Sequence, residues 1–487
     1  MRTLEWPPAA ILIGERGRQS MMHRKKRLPV ITALIFSLGI LQACSGSSAD
    51  NGESFQPSSL TVNPMARPEG GPDEASILRF RVTLTEPQPR AVTVRYATSA
   101  ITAIPGEDYL DTSGELIIPP GALDGSIEVE LIGDTEEEPN ESFLLSFETS
   151  KNATPTAESA RATIGNDDSR CDAAFDKLPN PWLVNGGDPL NFAHRGGVTD
   201  FPENTLYAYT EAALAGADVL EMDVFQTSDN HLVVLHDAAG VGRTTNGDGA
   251  IVDMTLAEVQ ALDAAYWFIP GEGTRRDRDP DDYIFRGIAT GEKAPPPGYS
   301  ATDFRIPTLP EALSRFADHR INVELKQDDG EGAYEQQMAD LLLSFGRRTD
   351  LIVATFDDEV SAKFKAVAPC IYTSLPLGVG LDIFAVFLGT GVLPEVPQHI
   401  AAQIPPDANQ IGDEIPGDDS LPIVTPELVA AAHAVNMPVQ VWTINACEDM
   451  LWLIELGVDG IMTDRPLLLE SLLQQPPGER RCEQAAT

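Results

Sequence analysis

The stretch VLEMDVFQTSDNHLVVLHD, residues 219–237, consists of two apolar runs separated by a short polar turn. Because side chains two residues apart on a strand share one face, Glu221 and Asp223 are expected to point in the same direction. The turn is too short for a parallel crossover, so the second run must return as an antiparallel hairpin. With Asp229-Asn230 as the central turn, we expect Asp223 to face His236.

The sequence on both sides of this hairpin predicts a barrel. Between residues 191 and 487, short apolar runs alternate with segments rich in Ala and Leu. Such an alternation of strands and helices is typical of a (β/α)8 TIM barrel, whose active site lies at the carboxyl ends of the strands. The insert at 270–304 lacks periodicity, and we expect it to be a surface excursion near the site. The eight predicted strands are 192–194, 219–225, 321–325, 351–356, 371–375, 400–404, 439–444 and 460–464.

Residues 56–168 follow a different pattern. Apolar residues recur with a period of two, as at Leu78, Phe80 and Val82, and turn clusters such as EPQPR separate the runs. Several short alternating strands at this spacing predict an all-β sandwich. Residues 169–190, rich in Pro, Asn and Gly, are interpreted as a linker. The predicted fold class is therefore α/β, a TIM barrel preceded by an all-β sandwich.

Charged and polar residues accumulate at the predicted strand ends of the barrel. Buried carboxylates that lie side by side repel each other, and a divalent cation relieves that repulsion. Imidazoles suit proton transfer, and Lys and Arg suit the binding of an anionic group. Phosphoryl transfer is the reaction class that uses all three kinds of group together. The candidates are the carboxylates Glu221, Asp223 and Glu324, the histidines His194 and His236, and the cations Arg195 and Lys326.

From residue 191 to about residue 470, the sequence resembles the glycerophosphodiester phosphodiesterase family. The matching motifs are His194-Arg195-Gly196, Glu203-Asn204-Thr205, Glu221-Met222-Asp223, His236-Asp237, Arg243-Thr244-Thr245-Asn246-Gly247, Ile306-Pro307-Thr308-Leu309, Glu324-Leu325-Lys326, Val441-Trp442-Thr443-Ile444-Asn445 and the run from Asp459 to Pro466.

The resemblance implies a barrel hydrolase that converts glycerophosphodiesters to glycerol 3-phosphate and an alcohol. It implies one divalent cation, Ca²⁺ or Mg²⁺, bound by the carboxylates Glu221, Asp223 and Glu324. It also implies that His194 and His236 are the acid/base pair. Arg195 and Lys326 would bind the phosphate, and Trp442 would pack beside the substrate.

The region 56–168 resembles a Calx-beta domain in PEG (68–70), PGEDY (105–109), GDTEEEPNESF (133–143) and NDD (166–168). Such domains can bind Ca²⁺ through loop carboxylates, because this hard cation takes six to eight oxygen ligands. Gly133 and Asn166 stand where related domains often have Asp, and a structural spacer is the alternative interpretation. The candidate ligands are Glu69, Asp108, Asp134, Asp167 and Asp168.

The overall charge bears on the partners. The chain has 74 acidic and 34 basic residues and a net charge of −40. Phosphate backbones are bound by Lys and Arg, so this balance argues against a nucleic acid partner. A small anionic substrate instead depends on the local field of the site, since distant exposed charges are screened within about 8 to 10 Å.

The N-terminal region has the pattern of an export signal. A basic segment (21–27) precedes an apolar run (28–41), and the run ends in LQAC, which resembles a bacterial lipoprotein box. We interpret 1–43 as an N-terminal extension and signal peptide, and 44–55 as a flexible tether. The expectation is an exported bacterial lipoprotein, anchored in a membrane through Cys44, on the periplasmic side of the outer membrane or at the cell surface. An ordinary signal peptide is the alternative, because the glutamine of LQAC departs from the usual small residue.

Four further cysteines lie in the part expected to be exported, where disulfides persist. They are Cys171, Cys370, Cys447 and Cys482, and three pairings are open. Cys171 and Cys482 flank the predicted barrel and are candidates to clamp its ends. Free buried thiols are the alternative.

Two alternatives to the glycerophosphodiesterase activity stay open from the sequence. The substrate could be a lysophospholipid or another lipid phosphodiester, which exposure of the apolar segment 377–393 would favour. The chain could also be a non-catalytic, calcium-dependent binding or adhesion protein. The complete set of histidines and carboxylates argues against this last interpretation.

Overall fold

The computed structural model of the protein describes residues 57–485 except 73, 169–170, 172–174, 176–178, 185, 238–239, 327–333 and 408–420. The predicted extension, signal peptide and tether, including Cys44, lie outside the described residues. Within the described part of the chain, no helix combines the length and the apolar character needed to cross a membrane.

The N-terminal region is a two-sheet β-sandwich, as predicted. One sheet has the strand order β6-β3-β1-β8 and the other β2-β9-β7-β4-β5. Most pairs are antiparallel, while β1 pairs with β8 and β2 with β9 in parallel. The strands are β1 (Ser58–Val62), β2 (Met65–Pro68), β3 (Ser76–Leu84), β4 (Val92–Ala100), β5 (Ser113–Ile118), β6 (Asp124–Leu131), β7 (Glu141–Lys151), β8 (Ala153–Pro155) and β9 (Ser159–Gly165).

The period-two pattern of the sandwich reflects the packing of its two inner faces. Leu78, Phe80 and Val82 on β3 are buried, while the residues between them are exposed or half-buried. The centre of the core contains Tyr109 stacked on Phe143, with 4.3 Å between the ring centroids. Burial of alternate apolar side chains thus selects the strand register.

The C-terminal region is the predicted barrel of parallel strands. The strand order is β16-β15-β11-β10-β19-β18-β17, and every neighbouring pair in it is parallel. The predicted strand 371–375 closes the ring, because Thr373 bridges Val353 and Ser374 bridges Ala401, both in parallel. The strands of this region are β10 (Leu190–Ala193), β11 (Val219–Gln226), β12 (Leu232–Val234), β13 (Phe268–Ile269), β14 (Gly273–Thr274), β15 (Arg320–Leu325), β16 (Leu351–Ala354), β17 (Ala402–Ile404), β18 (Val439–Val441) and β19 (Gly460–Thr463).

Helices cover the barrel, and several begin at a residue whose side chain caps the helix. Thr205 and Thr425 cap their helices through the side-chain oxygen, and Thr308 with Glu311 forms a capping box. The helices are α1 (Leu206–Ala215), α2 (Leu256–Gln260), α3 (Leu309–Arg315), α4 (Glu335–Ser344), α5 (Asp358–Val367), α6 (Leu377–Thr390), α7 (Pro426–Ala434), α8 (Cys447–Leu456), α9 (Pro466–Leu473) and α10 (Cys482–Ala485). Short 3₁₀ helices span His194–Gly196, Val241–Arg243, Ile251–Asp253, Pro280–Asp282 and Ala301–Phe304.

The hairpin of β11 and β12 forms, but its predicted register is wrong by one residue. Val224 pairs with Val234, and the backbone N–H of Leu235 donates to the carbonyl of Asp223 at 3.0 Å. Asp223 is therefore opposite Leu235 and not opposite His236. The cause is the turn, in which Asn230 adopts a left-handed conformation (φ 62°) and the loop takes three residues where two were assumed.

The four cysteines form two disulfides, and the expected clamp between Cys171 and Cys482 is wrong. Cys171 bonds to Cys370, with 5.2 Å between their Cα atoms. Cys447 at the start of α8 bonds to Cys482 at the start of α10, with 5.8 Å between their Cα atoms. Each bond joins cysteines that the fold has already brought within reach, a proximity that spacing along the chain does not reveal.

The sandwich contacts the barrel through polar bonds on the outer face of α3 and at the end of α4. The hydroxyl of Ser314 donates to the carbonyl of Ala66 at 2.7 Å. The side-chain amide of Asn140 donates to the carbonyl of Gly346 at 3.3 Å. Arg81 forms an ion pair with Asp303 across the same boundary, at 3.9 Å.

Candidate active site

His194 follows β10 directly and is held by a carboxylate that directly follows the last barrel strand, β19. Its Nδ1 atom lies 2.6 Å from Oδ1 of Asp464. A carboxylate can only accept, so Nδ1 carries the hydrogen and Nε2 remains for a substrate. Asn445 supports this pair by donating its side-chain amide to Oδ2 of Asp464 at 2.7 Å. Burial would raise the pKa of Asp464, but the hydrogen bond with His194 lowers it overall.

His236 lies just beyond β12 and is held by its neighbour in the sequence. Its Nδ1 atom lies 2.8 Å from Oδ1 of Asp237. Arg243 pairs with the other oxygen of Asp237 and also with Glu203. Burial opposes ionisation of Asp237, yet His236 and Arg243 lower its pKa to about 2. His236 is thus fixed in the same tautomer as His194, with Nε2 available.

The three predicted carboxylates converge at the ends of β11 and β15. Asp223 and Glu324 are partners in the parallel register, and each of the three contributes an oxygen within 4.8 Å of the others. Burial raises the pKa of Glu221 well above its usual range, and the charges of Asp223 and Glu324 add to that rise. Burial alone would raise the pKa of Asp223 as well, but the positive charges of Arg195 and Lys326 more than compensate, so its pKa is lowered.

The two predicted cations adjoin this cluster. Nε of Arg195 lies 3.2 Å from Asp223, and its guanidinium donates to Glu203 at 3.2 Å. Nζ of Lys326 lies 3.3 Å from Asp223 and 3.1 Å from Glu324. Arg195 adopts a left-handed backbone (φ 53°), which non-glycine residues take at a cost and mostly at functional sites. Its backbone N–H then donates to Glu221 at 2.8 Å.

The carboxylate cluster fits a hard divalent cation. Oδ1 of Asp223 is buried and accepts no hydrogen bond, although Lys326 lies within ion-pair distance of it. An unbonded buried carboxylate oxygen is costly, and a cation would satisfy it. The donors are all oxygens, as Ca²⁺ and Mg²⁺ prefer.

Beside these groups lies a cavity of about 280 Å³, and the buried Asp223 is not among the residues that line it. His194, His236 and Lys326 line one end of it, together with Arg195, Glu221 and Glu324. Trp442 lines the wall, and its ring meets that of Phe356 edge to face, with 5.5 Å between the centroids. Trp442 is thus at the cavity, as expected, and Phe356 is an exposed aromatic that the sequence did not single out.

A model of the Glycerophosphoryl diester phosphodiesterase family matches residues 194–468, and a model of the Calx-beta domain matches residues 72–168. The first match covers more than half of the chain and all the side chains described above. The chain belongs to the glycerophosphoryl diester phosphodiesterase family. It is accordingly an enzyme of the phosphoric diester hydrolase class.

Relatives of this phosphodiesterase are found among bacteria. The chain is similar to a glycerophosphodiester phosphodiesterase of Caldanaerobacter subterraneus, with 30% identity over 59% of this chain and 98% of the relative. It is also similar to a glycerophosphodiester phosphodiesterase of Bacillus subtilis, with 28% identity over 58% of this chain and 86% of the relative. A solved structure from Agrobacterium tumefaciens with the same activity in its name shares 23% identity, with a TM-score of 0.42, over 58% of this chain and 99% of that one.

The Calx-beta-like sandwich of this phosphodiesterase has two groups of carboxylates at one end. Asp167 and Asp168 approach Glu69, while Asp108 approaches Glu138 and Glu141. Burial and the charges of Asp134 and Asp167 raise the pKa of Glu69 to about 7. Among the described residues, the five predicted ligands therefore do not form a single cluster.

The absence of a carboxylate at position 133 has a steric reason. A Cβ atom on Gly133 would lie 1.7 Å from the carbonyl oxygen of Gly70. No side chain fits at that distance unless the backbone moves. Asn166 stands at the other position where related domains often have Asp. It donates its side-chain amide to Glu69 at 3.1 Å.

Sequence reasoning assigned no role to the residues that orient the two imidazoles. Asp237, Arg243, Asp464 and Asn445 were visible only as members of motifs. A carboxylate directly after a candidate histidine, as in HD, is one signal that was available. The contact of His194 with Asp464 has no such signal, because 270 positions separate the two residues.

Proposed function

We propose that the enzyme hydrolyses glycerophosphodiesters to glycerol 3-phosphate and an alcohol, with His194 and His236 as the acid/base pair. The observation that carries this proposal is that the two imidazoles make equivalent hydrogen bonds. Each is bonded through Nδ1 to a carboxylate, and both line the cavity that adjoins the carboxylate cluster and the two cations. Two positioned imidazoles beside an anion site are what an in-line displacement at phosphorus requires.

A single divalent cation, Ca²⁺ or Mg²⁺, would be held by Glu221, Asp223 and Glu324. When bound, it supplies Lewis acidity toward a phosphoryl oxygen and neutralises charge. Without it, three carboxylates face the two positive charges of Arg195 and Lys326. With it, the balance becomes positive and favours an anionic substrate.

The proton transfers follow from the tautomers. One histidine is neutral and has a lone pair on Nε2. It takes the proton of the glycerol 2-hydroxyl, whose oxygen forms a bond to phosphorus. The other histidine, protonated at Nε2, gives its proton to the departing alcohol as the phosphorus–oxygen bond to that alcohol breaks. Water then opens the cyclic phosphate with the two roles exchanged. Each positioned group is typically worth 10² to 10⁴ in rate.

The remaining substrate contacts are assigned to Arg195, Lys326 and Trp442. Arg195 and Lys326 are held in place by carboxylates, so little side-chain entropy is lost when they bind a phosphate. Trp442 offers an apolar wall for the carbon atoms of the glycerol.

The proposal is tested with glycerophosphocholine and the full chain, in Ca²⁺ or Mg²⁺, by measuring release of glycerol 3-phosphate. We expect His194→Ala and His236→Ala each to lower kcat by 10² to 10⁴ while the far-UV circular dichroism is unchanged. His231→Ala is the matched control, because His231 lies at the exposed hairpin turn. Activity that survives exhaustive chelation, or a His236→Ala variant as active as the wild type, would refute the proposal.

We also propose that the Calx-beta-like sandwich binds Ca²⁺ through Glu69, Asp167 and Asp168. The support is the proximity of their oxygens and the burial of Glu69. Calorimetric titration of the Asp223→Asn variant with Ca²⁺ tests this site apart from the barrel, and no heat beyond dilution would refute it. Asp108, which approaches Glu138 and Glu141, would belong to a separate cluster.

Export and lipid anchoring at Cys44 are proposed from the N-terminal sequence alone. The proposed location is the periplasmic side of the outer membrane or the cell surface. Metabolic labelling with a radioactive fatty acid tests it, because label should enter the wild type and be lost in Cys44→Ala. Equal labelling of both would refute the anchor.

A further inference from the structure

Helix α6 (Leu377–Thr390, LGVGLDIFAVFLGT) is almost entirely apolar, and its side chains Val379, Ile383 and Phe384 are half-buried against the neighbouring core. Asp382 is its one charged residue, and Phe387 is its one buried residue. Val386 and Leu388 are 46% and 59% exposed. A surface helix usually buries one apolar stripe and exposes polar residues on the other side. Helix α6 departs from this pattern, because it has apolar residues on both its half-buried and its exposed sides.

The inner side of α6 borders the cavity of the active site. The cavity that contains His194 and His236 extends along α6, where its wall consists of Leu381, Ile383 and Phe384. Apolar side chains from the segments after α6 and from α7 form the facing wall, among them Leu393, Ile423 and Leu428. We call this part of the cavity the apolar arm. Trp442 and Phe356, whose rings meet edge to face, also line the cavity.

The polar end of the cavity already contains all the groups that the proposed reaction needs. A substrate such as glycerophosphocholine would place its phosphate there and leave the apolar arm without an apolar partner. The arm is continuous with the catalytic end, so a ligand in it would be part of the substrate. The complementary ligand is a hydrocarbon chain attached to the glycerophosphodiester.

We propose that the apolar arm binds the acyl chain of a lysophospholipid, so that the preferred substrate of this enzyme is a single-chain glycerophosphodiester lipid. This inference rests on the proposed function of the same site. Only a single-chain lipid retains the glycerol hydroxyl that attacks phosphorus, since a second acyl group would esterify it. The 2-hydroxyl forms the new bond to phosphorus, the bond to the head-group oxygen breaks, and the head group leaves as the protonated alcohol. One water then opens the cyclic phosphate to give an acylglycerol phosphate.

The first test compares kcat/KM for lysophosphatidylcholines of increasing chain length, below their critical micelle concentrations, with kcat/KM for glycerophosphocholine. In the wild type we expect a rise of roughly three- to fourfold for each methylene that enters the arm. Ile383→Gln should lower the ratio of the two kcat/KM values at least tenfold. Leu388→Gln is the matched control, because Leu388 lies on the same helix but is exposed to solvent. It should leave the ratio unchanged.

The second test measures binding without catalysis. Dodecylphosphocholine has no glycerol hydroxyl and cannot follow the proposed reaction, so calorimetry below its micelle concentration reports binding without turnover, and the comparison with Ile383→Gln isolates the contribution of the arm. We expect binding by the wild type and by His236→Ala, and at least tenfold weaker binding by Ile383→Gln.

The outcomes separate this inference from the proposed function. Hydrolysis of glycerophosphocholine with a kcat/KM that does not rise with chain length would overturn the inference and leave the proposed function intact. Absence of all hydrolysis would contradict the proposed function, and the calorimetric result would then decide the apolar arm by itself. No binding of dodecylphosphocholine, or equal binding by Ile383→Gln, would overturn it.

Discussion

Replacement of Asp464 by Asn tests whether the orientation of an imidazole controls catalysis. Asp464 is not among the residues that line the cavity, and it acts through His194, whose Nδ1 atom lies 2.6 Å from Oδ1 of Asp464. The amide has the same size as the carboxylate but lacks its charge. It can also present an N–H to Nδ1, which would favour the tautomer with hydrogen on Nε2. His194 would then lose the lone pair that faces the substrate.

The magnitude follows from the kind of bond that is lost. A hydrogen bond to a charged group contributes about 1.5 to 3 kcal/mol. If that free energy acts in the transition state, kcat falls about 10- to 150-fold. KM should change little, because Asp464 does not contact the phosphate. The assay is the release of glycerol 3-phosphate from glycerophosphocholine at saturating substrate.

Two further measurements distinguish a positioning role from a general structural one. The ¹⁵N chemical shifts of the His194 ring should change from the pattern of an Nδ1-protonated imidazole in Asp464→Asn. Asp188→Asn is the matched control, because Asp188 makes an exposed ion pair with Arg480 at 2.7 Å. A folded Asp464→Asn with a kcat within twofold of the wild type would refute the reasoning.

The other predictions concern stability. The hydrogen bond to Asp459 raises the pKa of His433, so the stability that this bond adds is complete below about pH 6.5 and is lost as the pH rises through the higher pKa of the folded state. The difference in unfolding free energy between the wild type and His433→Gln should therefore shrink from pH 6 to pH 9. A difference that stays constant over this range would contradict the prediction. Replacement of Cys447 and Cys482 by Ser removes a disulfide that closes a loop of 35 residues, so the free energy of unfolding should fall by about 3 to 4 kcal/mol in a denaturant titration. An unchanged denaturation midpoint would contradict this prediction. Gly133→Asp should lower the thermal midpoint of the sandwich and add no calcium site, because its Cβ would meet a backbone carbonyl; a stable variant with stronger calcium binding would show otherwise.

The sequence sufficed for the architecture because each barrel strand is an apolar run of its own. Seven of the eight predicted runs contain a regular strand, and the run at 371–375 contributes bridges that close the ring. It also sufficed for the convergence of Glu221, Asp223 and Glu324. Their strands end at the same rim, which parallel pairing fixes without knowledge of side-chain detail.

The sequence did not suffice where the outcome depended on turn geometry or on distant contacts. The hairpin register depended on the left-handed conformation of Asn230, and a one-residue difference there moved the partner of Asp223. Pairing of the cysteines depended on which helices pack together. The extent of the apolar arm depended on how α6 lies over the cavity, which composition alone does not specify.

The geometry of the site is determined by the registers of two strand pairs, β10 with β19 and β11 with β15, and by a series of ion pairs beside His236. The pairing of Ala193 with Thr463, between β10 and β19, brings His194 next to Asp464, so closure of the barrel creates that pair. The pairing of Asp223 with Glu324 creates the carboxylate cluster in the same way. His236 lies outside any strand, and the chain of contacts from Asp237 through Arg243 to Glu203 fixes it instead. Because the two imidazoles are positioned by independent means, a change that loosens the hairpin should disable one and leave the other in place.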